Sequence, residues 1–332
     1  MSRAHPWLAA MAALLVMGCD ETPPPAHPTL ESQPGGPYRM TLALDPPQPG
    51  ATEETHLTWQ LTHSASGAAV TDLQILHERV VHNFIVNLDF SSFAHIHHED
   101  FRAITADDRK RGTFTLPYRF PSAGRYRVVS DFTHRNRNWI KQFDVVVGDP
   151  SAPSSAVADF ARSRQVGDIL GNLSLSPPVP LAGYETELVL KLTRDSGPVT
   201  DLALVLGSEV HVAVWREDGQ HFGHTHSYTP HMASMLRAMH DQTTDAKRRG
   251  QMMADMMADM MVMMMSMPAE LVFHGPEVPV HYVFPEPGIY HVFLQCAPGG
   301  KPRVFHFALA VQPWREGLQT HIDSIVTSAG EH

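Results

Sequence analysis

Cysteine is nearly absent, with two in 332 residues, so the fold cannot be a disulfide-stapled framework. Positive charge is also scarce: 25 Lys and Arg stand against 35 Asp and Glu, a net charge of −10. With no basic stripe, a phosphate-reading surface is excluded and nucleic acid is not an expected partner. No apolar run is long enough to cross a bilayer, the Leu8 to Gly18 stretch being too short. The chain also has no G-x-S-x-G elbow, no H-E-x-x-H helix, no Walker loop and no dinucleotide fingerprint. No catalytic group rises above the background, and the expectation is a protein that is not an enzyme.

Histidine, by contrast, is abundant: 22 imidazoles in an acidic chain make cation binding the first function to test. At the N-terminus, Arg3 precedes the short apolar run, and Val16-Met17-Gly18-Cys19 is similar to a bacterial lipobox, in which the cysteine is acylated. Residues 1–18 are therefore expected to be a lipoprotein signal peptide, and Cys19 the lipidation site. The Pro-rich stretch 19–37 is expected to be a tether, which leaves Cys296 as a free thiol.

The chain repeats itself. Val70 to His97 (VTDLQILHERVVHNFIVNLDFSSFAHIH) lies over Val199 to His226 (VTDLALVLGSEVHVAVWREDGQHFGHTH) without a gap. Asp72 falls on Asp201, His82 on His211, His95 on His224 and His97 on His226. Downstream, Tyr118 to Tyr126 (YRFPSAGRY) matches Tyr282 to Tyr290 (YVFPEPGIY) at a larger offset, so the second copy carries an insertion between the two blocks. Both copies show short runs rich in Val, Leu, Phe and Tyr bounded by turn residues, the pattern of an all-β sandwich. The expected fold class is all-β, with two tandem Ig-like or cupredoxin-like sandwiches, the second with a helical Met-rich insertion. Domain 1 is placed at 38–149, a linker at 150–170, domain 2 at 171–313 with its insertion at about 228–275, and a tail at 314–332.

The hairpin signal Asp218-Gly219 favours a two-residue type I′ turn. Counting outward from it puts His211 opposite His226 and Ala213 opposite His224, so three imidazoles share one face. The same count around Asp89-Phe90 puts His82 opposite His97 and Phe84 opposite His95. Directly opposite Cβ atoms lie about 4.5 to 5.5 Å apart, within reach of a common ion. Two metal sites are expected, one per domain: His82, His95 and His97, and His211, His224 and His226. Copper is the expected metal and zinc the alternative.

The segment HNFIVNLDFSSFAHIHHE, followed by FPSAGRYRVVSDFTH, resembles the YtkA-like and related small exported β-sandwich domains. Their pattern is His, an apolar strand, Phe-x-His-x-His, then a Phe-Pro-x-x-Gly-x-Tyr strand. The resemblance covers about 100 residues of each half and implies metal binding or delivery. Where such domains carry proline after the last histidine, this chain has His98 or Ser227.

Gly288 to Cys296 (GIYHVFLQC) also resembles the ligand-bearing strand of cupredoxins, but the residues that follow, Ala297 to Lys301, lack the histidine and methionine of a blue-copper loop. A buried, inert Cys296 is expected. Residues Met252 to Met267 read MMADMMADMMVMMMSM, and the insertion holds most of the chain's 17 methionines. Their spacing predicts a helix with one sulfur-rich face. Met252, Met253, Met256, Met257, Met260 and Met261 could supply soft thioethers to Cu(I), or pack as an adaptable apolar face.

Together these features predict a periplasmic or otherwise extracytoplasmic lipoprotein, anchored to the inner or outer membrane, that sequesters copper or delivers it to a copper-handling protein. Two other classes stay open: a cupredoxin-like redox protein or metalloenzyme, and a metal-free adhesion or assembly module.

Overall fold

The computed structural model describes residues 29–32, 36–149, 158–195, 197–227 and 275–314. In the first half, strands β1 (Thr29–Glu31), β2 (Tyr38–Asp45), β3 (Glu54–His63), β4 (Val81–Asn87) and β5 (Phe93–Ile96) precede a short helix, α1 (Ala106–Arg111). Strands β6 (Thr113–Arg119), β7 (Gly124–His134) and β8 (Arg137–Val147) complete it. The second half holds β9 (Ser163–Val166), β10 (Ile169–Ser176), β11 (Glu185–Arg194), β12 (Gly197–Pro198) and β13 (Leu202–Ala203). It continues with β14 (Val210–Arg216), β15 (Phe222–His226), β16 (Glu277–Val283), β17 (Gly288–Pro298) and β18 (Arg303–Val311).

These strands form four antiparallel sheets, two per half. The first half pairs β1-β2-β3-β6 with β5-β4-β7-β8. The second half repeats both, with β9-β10-β11 extended by β16, and β15-β14-β17 extended by β18. This is a tandem of two Ig-like, fibronectin-type sandwiches. Each has its own core: Leu57, Trp59, Leu61 and Phe114 meet Ile85, Tyr126 and Val128 in the first. In the second, Leu188, Leu190 and Leu192 meet Val212, Tyr290 and Phe305.

The Phe-Pro-x-x-Gly-x-Tyr motif builds the same corner in both. The Tyr126 hydroxyl donates to the Ser122 carbonyl at 2.9 Å, and the Tyr290 hydroxyl donates to the Glu286 carbonyl at 2.8 Å. A tyrosine corner of this kind is a hallmark of Ig-type sandwiches, because it anchors the loop that enters the central strand.

The expected helical Met-rich insertion is corrected. Among the described residues the one α-helix is α1, six residues long and in the first sandwich. The methionine segment lies outside the described residues. Helix α1 forms where the backbone ends are satisfied. Thr105 accepts from the Asp108 N–H at 3.1 Å, Asp108 reaches back to the Thr105 N–H at 2.9 Å, and Gly112 closes the last turn with φ 62°. A short apolar periodicity without such caps is weak grounds for a helix.

The turn chemistry also differs from the simple hairpin. Gly219 has φ 74°, while Asp218 is not left-handed, and the Gly219 N–H donates to the Arg216 carbonyl at 2.8 Å. This is a type I turn ending in a left-handed residue, and it preserves the strand register. Its counterpart in the first sandwich is Phe90, left-handed at φ 57°, a conformation a bulky residue rarely adopts. The Phe90 ring compensates by stacking on His291 of the second sandwich at 3.7 Å with the planes 7° apart.

That contact belongs to a broad interface. Along β4, Val81 and Ile85 enter the first core while Phe84 and Val86 face the other sandwich. Along β14, Val210, Val212 and Val214 enter the second core while Ala213 and Trp215 face back. Phe84, Val86, Phe90, Val129, Ala213, Trp215, Phe222 and Phe293 make one buried cluster drawn from both domains. These strands are buried on both faces, which is why β4 shows no exposed residue at all. Replacing Trp215, 1% exposed, with alanine should remove about 3 to 5 kcal/mol from this interface rather than from either core. Scanning calorimetry should then show one cooperative transition in the parent protein and two separated transitions in Trp215→Ala.

Candidate metal centre

Beside the apolar interface cluster, the same two facing sheets gather seven of their buried imidazoles into one group: His77, His82, His95 and His97 from the first sandwich, and His211, His224 and His226 from the second. The strand registers place them. Phe84 pairs with His95 in β4–β5, while His211 pairs with His226 and Ala213 with His224 in β14–β15. Alternation then turns the imidazoles away from each core and toward the opposing sandwich.

His82, His95 and His97 form a tight triangle. His82 Nδ1 lies 3.1 Å from His95 Nε2 and 3.0 Å from His97 Nε2, and the latter two atoms are 3.0 Å apart. The opposite nitrogen of each ring is already engaged. His82 Nε2 donates to the Leu76 carbonyl at 3.0 Å, His95 Nδ1 to Gln295 Oε1 at 2.9 Å, and His97 Nδ1 to Asp100 Oδ2 at 2.9 Å. These partners assign the tautomers, so the three inward nitrogens all carry lone pairs. Three acceptors converging without a shared proton repel one another, and a cation removes that repulsion. The corners of such a triangle lie about 1.8 Å from its centre, compatible with an ion held about 2.0 Å from each nitrogen.

The second group is arranged differently from expectation. The ligand atoms of His95, His211 and His224 lie within 4.8 Å of one another, so the two three-histidine groups overlap at His95 instead of standing apart, one per domain. His211 Nε2 donates to the Val205 carbonyl at 2.6 Å, matching the His82 bond to Leu76 in the repeat. His224 Nδ1 donates to Asp131 Oδ2 at 2.9 Å. Among the described residues, His211 Nδ1 and His224 Nε2 are thereby left buried with no hydrogen-bond partner, as is His226 Nε2. His226 packs against His77, ring centroids 3.7 Å apart, and close to His211 at 4.3 Å. Unpaired ring nitrogens on three neighbouring buried imidazoles are costly unless something binds them.

Burial decides the protonation state. It holds His82, His95, His211 and His226 far below the ordinary imidazole range, and the surrounding rings add to the effect. His77 is pushed down to about 4 by burial first and by His224 second. Burial also lowers His97, against the opposing pull of Asp100. His77, His82, His95, His97, His211 and His226 are therefore neutral and able to donate lone pairs at physiological pH.

Several other residues take their places around the cluster. Cys296 is fully buried within the second core, its thiol pushed up to about 12, while its neighbour Gln295 faces the imidazoles. Alternation along β17 thus removes the cysteine from any copper site, and the blue-copper arrangement is not formed. His98, adjacent to the first group, is structural: its Nδ1 accepts the Thr115 N–H at 3.0 Å. Cys19, Met252, Met253, Met256, Met257, Met260 and Met261 lie outside the described residues.

Sequence reading missed four participants: His77, Asp100, Asp131 and Gln295. His77 has Leu206 at its position in the other copy, so a search for repeated histidines passes over it. Asp131 and Gln295 did leave a signal. The strand overlay that matches Tyr126 with Tyr290 also matches Asp131 with Gln295, a polar residue kept in an apolar strand in both copies.

Similarity to known proteins adds a family but little else. No curated protein matches the chain. Among solved structures, the chain is similar to Escherichia coli alpha-2-macroglobulin at 13% identity and a TM-score of 0.22, over 86% of this chain and 15% of that one. It is similar to the fibronectin(III)-like modules of Clostridium thermocellum CbhA at 9% identity and 0.19, over 82% and 94%. The Escherichia coli adhesin FdeC matches at 13% identity and 0.20, over 84% and 65%. These scores are too low for any of the three to inform the site. The family match covers both sandwiches, residues 31–149 and 171–313, and on it the chain belongs to the family described as Domain of unknown function (DUF8832).

Proposed function

We propose that the protein is a membrane-tethered, extracytoplasmic metal-binding protein that holds copper for sequestration or delivery. The observation that carries this reading is the triangle of His82 Nδ1, His95 Nε2 and His97 Nε2, with sides of 3.0 to 3.1 Å and every opposite nitrogen engaged. A histidine that serves only packing has no need of a fixed tautomer. A metal ligand does, and hydrogen bonds to its far nitrogen supply it.

Copper is preferred to zinc on donor chemistry. Imidazole suits both metals, but the many methionines between His226 and Pro268 offer thioethers, which favour Cu(I). The likeness to YtkA-like exported domains points the same way. In this reading the methionine segment collects Cu(I) and the histidines hold it, with a copper-handling protein as donor or acceptor. The tether is the acylated Cys19 with the Pro-rich stretch behind it. No helix among the described residues is long and apolar enough to cross a membrane, so attachment in this reading rests on the lipid. The role is binding and transfer, without turnover.

Titration of the purified protein with anaerobic Cu(I), Cu(II) and Zn(II) tests this directly. His97→Ala should abolish the tightest Cu(I) binding while the far-ultraviolet dichroism stays unchanged. Binding no tighter than millimolar for all three ions would sink the metal reading and favour an assembly module.

Acid should act on the metal-free protein as well. His77, neutral in the folded state down to about 4, would take up a proton near 6.5 once unfolded. Its lowered value means that full stability is present above about 6.5 and is lost as pH falls toward 4. Each such group adds a slope of about 1.4 kcal/mol per pH unit. Urea midpoints of the metal-free protein should therefore be flat from pH 8 to about 6.5 and decline below it.

A further inference from the structure

The two copies differ at a buried strand position that faces the imidazoles. Asp131 on β7 of the first sandwich hydrogen-bonds His224 of the second at 2.9 Å, and Gln295 on β17 of the second hydrogen-bonds His95 of the first at 2.9 Å. Each domain thus orients a histidine belonging to the other. The groups exchanged are equivalent in the repeat, but one is a carboxylate and the other a neutral amide.

Resting on the metal-binding reading, we propose that Asp131 makes the interdomain group, His95, His211 and His224, selective for a divalent ion, and that Gln295 leaves the His82, His95 and His97 group suited to a monovalent one. Asp131 and His224 both have side chains with 0% exposure, so their interaction is not screened by water. A carboxylate behind an imidazole N–H raises the donor strength of the opposite nitrogen, here His224 Nε2, which is buried without a partner. Asp131 Oδ1 is likewise buried with no hydrogen-bond partner among the described residues, so the carboxylate is incompletely met by them. A divalent cation on His224 Nε2 meets it. On the other side, the amide fixes His95 without adding charge, and the carboxylate behind His97, Asp100, is one-third exposed and already paired with Arg79 at 3.1 Å, so that group holds no unscreened, unpaired carboxylate, which suits Cu(I), whose single charge needs less compensation.

Asp131 is a positioning residue that acts through His224, and its ion is shared between domains. Filling the interdomain group therefore ties the two sandwiches together, since no single domain supplies all three ligands.

The test measures Zn(II) affinity with a competing chromogenic chelator and Cu(I) affinity anaerobically, in a His97→Ala background that isolates the interdomain group. Asp131→Asn should weaken Zn(II) there by about 10- to 100-fold while changing Cu(I) much less, and Asp131→Glu should recover part of the loss. A merely structural role would lower both ions together or neither. The reciprocal change, Gln295→Glu in a His211→Ala background, should raise the Zn(II) to Cu(I) affinity ratio of the other group, and it decides the matter if Asp131→Asn does not fold. Should His97→Ala bind Zn(II) and Asp131→Asn leave that affinity within twofold, the proposal is overturned and the metal reading stands. If the parent protein binds neither ion, the metal reading itself fails.

Discussion

Everything in this molecule depends on two sheets of a duplicated domain packing face to face. An Ig-type sheet normally buries one face and wets the other. Here β4, β7, β14 and β17 are covered on both, by their own cores and by the opposing sandwich. Imidazoles that would be solvated in an isolated domain become buried acceptors. Phe84, Trp215, Phe222 and Phe293 exclude water beside them, so burial alone keeps most of the cluster neutral. The apolar contact and the polar cluster are thus one arrangement: the first dries the interface and the second makes it chemically specific.

Much of this was legible in the sequence because local rules act on short stretches. The Phe-Pro-x-x-Gly-x-Tyr repeats announce the tyrosine corners of Tyr126 and Tyr290. Period-two counting put His95 opposite Phe84 and His226 opposite His211, even though the turn chosen to fix the register was of another type. A type I turn with left-handed Gly219 leaves the same strand residues opposed as a two-residue turn would, and only the loop is reshaped.

What could not be read was the relation between the copies. A gap-free repeat invites the assumption of two independent sites, since each copy carries a full set of ligands. Tertiary docking instead draws the sets together until they share His95. The residues that accomplish this have no period to betray them. Phe90 accepts a strained backbone to reach His291, and His77 occupies a hairpin position where the other copy has leucine. The one helix among the described residues, α1, was overlooked for a related reason: its Thr105 and Gly112 end signals mark where backbone groups are satisfied, and they flank a stretch with no apolar face to count.

Duplication followed by face-to-face docking also explains why the site is asymmetric. In two identical domains related by a two-fold axis, each strand residue would meet the same environment from either side, and both groups would bind alike. Once both copies lie on one chain, every position can change separately. The changes here fall on residues that touch the cluster without belonging to the repeated ligand set: His77 against Leu206, and Asp131 against Gln295. The ligands held constant preserve the ability to bind an ion. The positions allowed to differ alter charge and packing around it. In the metal-binding reading proposed above, that division lets two neighbouring groups that share His95 differ in the ion each prefers.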